Sequence, residues 1–138
     1  MSLSDAHRAQ LAAIADQLIP AGSGMPSASE ADVQGRFLDE VLAARPDLAA
    51  PLEAVLESVS GLAPGVAIAQ LRESDGWGVL TAVVPGAYFL NPETRAALGY
   101  PGLERRPIDP DAAPDYDDDG LLASVIERGP VYRATPTA

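Results

Sequence analysis

GWGVLTAVVPGAYFL, residues 76–90, is the stretch on which the reading of the whole chain turns. It carries no charged side chain, and its period alone does not separate helix from strand. The segments on either side do, because each repeats its apolar residues at helical spacing. The stretch is therefore read as a buried helix kinked at Pro85-Gly86, where proline withholds an amide.

Upstream, a first helix is expected from about Asp5 to Ile19. Ser4 serves as N-cap, and Leu11, Ile14, Ala15 and Leu18 fall on one face. Pro20 and AGSGMPSAS stop it, leaving a loop over residues 20–29 long enough to wrap a neighbouring surface. A second helix is expected from Ser29, with an acid three residues after a capping hydroxyl. Its stripe is Val33, Phe37, Leu38, Val41 and Leu42, and Pro46 marks its end. A third follows from about Asp47 to Val59, stopped by Gly61. Residues 65–72 stay open between a short helix and an extended piece.

Downstream, Asn91-Pro92-Glu93 is a good helix start, with Asn as cap and proline in the first turn. That helix ends at Leu98-Gly99. Beyond Tyr100, proline, aspartate and arginine dominate, with one short helix at about residues 120–128 closed by Gly129-Pro130. The expected fold class is all-α: a small irregular helical domain over residues 1–100. A long extended C-terminal arm over 101–138, rich in Pro and Asp, packs on a partner.

The chain has 138 residues, enough for one modest core, and a net charge of −11 with all nine basic residues arginine. Such a surface repels phosphate backbones and anionic lipid, which argues against nucleic acid and membrane as partners. No apolar run reaches the roughly 18 residues of a membrane span. The start MSLSDAHRAQ lacks a basic segment followed by a long apolar run, so the expectation is a cytoplasmic chain. With no cysteine, disulfides and thiolate chemistry are excluded.

Chemistry-bearing motifs are few. Asp115, Asp117 and Asp119, followed by Gly120, match the opening of a calcium loop. The twelfth position, which calls for a bidentate Glu, is Ile126, and Glu127 falls one residue late. The simpler reading is that these acids cap the next helix. His7, the single histidine, reads as a surface residue on an early helical turn. Asp39-Glu40 and Glu53 with Glu57 read as solvated helix faces. Nothing assembles a nucleophile, a base and an orienting group, so no catalytic residue and no cofactor is assigned to this chain. Tyr100, in Leu-Gly-Tyr-Pro-Gly, is expected to face out of a turn, and Tyr132 sits in a tail too polar to bury it. Exposed Tyr and Arg are what protein interfaces favour.

LAAIADQLIP, MPSASEADV, AYFLNPETRAALGYPG and IERGPVYR, taken together, resemble the gluconate 2-dehydrogenase subunit 3 family. The match spans Leu11 to Arg133, and its most specific part is Asn91-Pro92-Glu93 through Gly99-Tyr100-Pro101-Gly102. Members are the small, gamma, subunits of flavin-dependent oxidoreductases of the glucose-methanol-choline type. The resemblance implies a non-catalytic subunit in a heteromer, which aids folding, stability or export of a large partner that carries FAD and oxidises a sugar or alcohol. It suggests interface positions at Tyr88, Tyr100, Pro101, Gly102, Tyr132 and Arg133. The chain departs from the family in lacking the twin-arginine export signal that members often carry. From a different class, a free-standing helical module that binds calcium or a small ligand is the alternative.

Overall fold

The computed structural model describes residues 3–103, 120 and 122–131, all helix, turn and loop with no strand among them. The chain divides into two compact units, Met1–Leu103 and Glu104–Ala138. The first holds α1 (Asp5–Leu18), α2 (Arg36–Ala44), a 3-10 turn (Pro46–Leu48), α3 (Ala49–Ser58), α4 (Pro64–Arg72), α5 (Gly76–Leu90) and α6 (Pro92–Ala97). The second contributes α7 (Ala123–Arg128), followed by Gly129 in the left-handed region at φ 67°. Residues 65–72, open from sequence, are helical, with Pro64 in the first turn where a missing amide costs little.

α5 is the helix around which the first unit packs, meeting α2, α3, α4 and α6. Its buried residues are Leu80, Val83, Val84, Ala87 and Tyr88, a single stripe at the i, i+3, i+4, i+7, i+8 spacing. Burying each of the large aliphatic members removes enough apolar surface from water to contribute about 1.5–3 kcal/mol. The helix is not buried all round, however: Thr81, Ala82, Gly86, Phe89 and Leu90 are exposed. The uniform apolarity that suggests full burial conceals one core-facing stripe and an opposite, apolar, solvent-facing side. Leu11, Ile14 and Ala15 of α1 and Leu52, Val55 and Leu56 of α3 complete the core with Leu38 of α2.

The loop after α1 returns to its own domain at Ser27 and Ala28. Gly22 and Met25 exchange both backbone hydrogen bonds (3.1 and 2.9 Å) around Ser23 and Gly24, each at positive φ, which is a tight two-residue turn. The Ala28 amide then donates to the Ile19 carbonyl at 3.0 Å, and Ala28 is fully buried. Residues 27 and 28 are thus buried in the chain's own domain, while 20–24, the tip of the loop, are exposed.

The second helix begins at Arg36, not at Ser29. A reciprocal cap does form, but at Ser27 and Glu30: the Ser27 amide donates to Glu30 Oε2 (2.8 Å) and the Glu30 amide to Ser27 Oγ (3.3 Å). It nucleates only a turn, because Asp32 adopts a left-handed conformation at φ 58°. The Asp32 carboxylate then accepts from the Arg36 amide at 3.0 Å and starts α2. Arg8 of α1 fixes this start by donating to the Gln34 and Gly35 carbonyls and pairing with Asp39 at 2.6 Å.

Candidate functional site

The residues that combine exposure, apolarity and unusual charge lie where α5 passes into α6. Asn91 makes the junction. Its side-chain oxygen accepts from the Glu93 amide at 2.8 Å, capping α6, and its Nδ2 donates to the Ala31 carbonyl at 3.1 Å. Both bonds are made by a residue only 8% exposed, so the start of α6 is tied to the 27–35 turn. Pro92 follows in the first helical turn, where its fixed φ suits the helix. α6 ends in a full Schellman motif. Gly99 sits at φ 74°, the Tyr100 amide donates to the Arg95 carbonyl (2.9 Å), and the Gly99 amide donates to that of Ala96 (3.0 Å).

This geometry turns apolar side chains outward. Phe89 is 47% exposed, Leu98 58% and Tyr100 51%, and Leu90 and Leu103 are exposed as well. Single exposed apolar residues are ordinary, but five within one helix–turn–helix segment are not. Phe89, inside the stretch read from sequence as a buried helix, is thus a surface residue.

Beside this face lies a cleft of about 580 Å³ lined by Glu30, Asp32, Arg36, Phe37, Glu40, Leu90, Asn91, Pro92, Glu93 and Arg95. Four carboxylates share it with two guanidinium groups. Arg36 is engaged, pairing with Glu40 at 2.7 Å and lying 5.5 Å from the Phe37 ring centre. Arg95 makes no ion pair among the described residues, and its Nε is buried without a hydrogen-bond partner. No group of three or more His, Cys, Asp or Glu among the described residues is placed to hold a metal ion.

Of the interface positions named from sequence, Tyr100, Pro101 and Gly102 stand at this face. Tyr100 and Pro101 are exposed, and Gly102 has φ 89°. Tyr88 does not belong with them. It is 3% exposed, its hydroxyl donates to the Pro26 carbonyl at 2.7 Å, and its ring meets that of Phe89 edge-on at 5.3 Å. Burial raises its pKa above the ordinary value, and the Glu30 carboxylate adds to the effect. A tyrosine on the core stripe that finds a carbonyl partner is a structural residue. Tyr132, Arg133, Asp115, Asp117 and Asp119 lie outside the described residues.

The other candidates resolve into local structure. Asp39 and Glu40 each hold an arginine, Arg8 and Arg36 respectively. His7 is half-buried rather than surface-exposed. Its amide donates to Ser4 Oγ at 3.2 Å, its Nδ1 is buried without a partner, and it borders a 400 Å³ hollow with Gln10, Ser60 and Leu62. The acid-lined cleft is what sequence reading missed. Its members come from three separate segments, and only the Arg95–Leu98 spacing, one helical turn apart, signals that charge and apolar side chains share a face.

No helix among the described residues is long and apolar enough to cross a membrane. Compared with protein-family models, curated proteins and solved structures, the chain matches none.

Proposed function

We propose that this chain is a non-catalytic small subunit that binds and stabilises a larger FAD-dependent oxidoreductase acting on a sugar or alcohol. The observation that carries the reading is a coincidence of place. The segment with the most specific resemblance to the subunit 3 family, Asn91 to Gly102, holds the exposed Leu98 and Tyr100 and is flanked by the exposed Phe89, Leu90 and Leu103. A monomeric helical domain of this size gains nothing from Leu98 and Tyr100 outside its core, whereas a subunit uses such residues as contact area. The flavin and the chemistry belong to the partner, and this chain supplies surface.

Purification of the tagged chain from its native cell, with an absorbance spectrum and the mass of whatever accompanies it, tests the reading. A yellow complex containing a flavoprotein several times larger is the expected result. A colourless chain recovered alone refutes it.

A further inference from the structure

We infer that the Leu90–Leu98–Tyr100 face and the adjoining acidic cleft form one docking surface for a protein segment that carries an arginine or lysine next to apolar side chains. The inference rests on the subunit reading only in requiring a protein partner. Leu90 joins the two halves: it is exposed on the apolar side and also lines the cleft. Arg95, which lines the cleft, stands three residues before the exposed Leu98 at the C-cap of α6 and joins them again.

Charge selects the occupant. Glu30, Asp32, Glu40 and Glu93 outnumber Arg36 and Arg95 in the cleft, and Arg36 is already paired with Glu40. A second copy of this chain, at a net charge of −11, would bring like charge to an acidic cleft. The carboxylates do not converge as ligands on a bare cation. They are spread around an opening wide enough for a side chain; the Phe37 ring at its wall is already faced by Arg36, so the recognition of a partner cation falls to the carboxylates. A partner cation that enters the cleft places its neighbouring apolar residues over Leu90 and Leu98.

The test uses the full chain, with photoreactive benzoylphenylalanine replacing Leu98 and, separately, Val66 on α4, expressed in the native cell and irradiated. The crosslinked peptides are then sequenced by mass spectrometry. The expected product from position 98 is a peptide of another protein with Arg or Lys within a few residues of the crosslink. Glu93→Gln and Leu98→Asp should each lower recovery of that protein by about tenfold, with the melting temperature of the isolated chain unchanged. A crosslink to an acidic segment, a crosslink to a second copy, capture from position 66 alone, or no effect of Glu93→Gln overturns the inference. The two readings fail separately. A flavoprotein captured only through position 66 leaves the subunit reading standing without this surface, and a basic segment of a flavin-free protein does the reverse.

Discussion

The hydroxyl of Tyr88 donates to the carbonyl of Pro26 at 2.7 Å, across a sequence separation of 62 residues. This bond holds the loop after α1 against the central helix. Tyr88→Phe keeps the ring and removes the donor, leaving the Pro26 carbonyl without it. A loss of about 1–2 kcal/mol in urea unfolding is expected. Unchanged stability would mean that the contact contributes no net free energy.

Asn91 serves two elements at once, so its substitutions should be graded. Asn91→Asp keeps the oxygen that caps α6 but loses the donor to Ala31, whereas Asn91→Ala loses both. The alanine variant should cost about 2 kcal/mol and the aspartate variant less. Equal losses would show that only the Ala31 bond matters.

Asp16 links stability to pH. Burial acts to raise its pKa, but hydrogen bonds from the Ser29 hydroxyl and amide, and from Ser27, outweigh it. The group titrates below its ordinary value of 3.8. A carboxylate lowered in the folded state stabilises the fold above its unfolded pKa, and the contribution fades as pH falls through the folded value. Asp16→Asn should therefore be less stable than the parent at pH 7. The gap should close below about pH 4. A gap independent of pH would assign the effect to packing.

Two glycines should respond to alanine with opposite sign. A β-carbon at Gly35 would overlap the Asp32 carboxylate, displacing the group that receives the Arg36 amide, so Gly35→Ala should cost about 1–2 kcal/mol. At Gly86, inside α5, a β-carbon would make ordinary contact with Val41 at 3.5 Å. There the helix gains propensity and contact, and Gly86→Ala should add about 0.5–1 kcal/mol. Thermal melts of the two variants separate the cases directly.

Helix identity was legible wherever local chemistry decides it. The Asn91-Pro92-Glu93 start, the Ser4 cap of α1 and the Gly61 and Gly99 stops each follow from a backbone requirement that one residue type meets best. The start of α2 was harder, because Ser27…Glu30 and Ser29…Asp32 are overlapping versions of one signal. The choice between them depends on Arg8, which arrives from α1 to hold the Gln34 and Gly35 carbonyls. Tyr88 and the acid-lined cleft were illegible for different reasons. α5 is apolar on every side, so its sequence does not mark which stripe, and hence whether Tyr88, faces the core; the cleft depends on which distant segments meet.

Pro85 lies inside α5 and brings no amide to the carbonyl of Thr81, so the ladder of that helix is missing a rung. The two sides of the gap lean on different neighbours. Gly76, at one end, lies against Val55 and Leu71, while Gly86, beyond the gap, lies beside Val41. The carbonyl left over belongs to Thr81, on the exposed side of the central helix, so the missing rung faces solvent and the buried stripe runs past it unbroken.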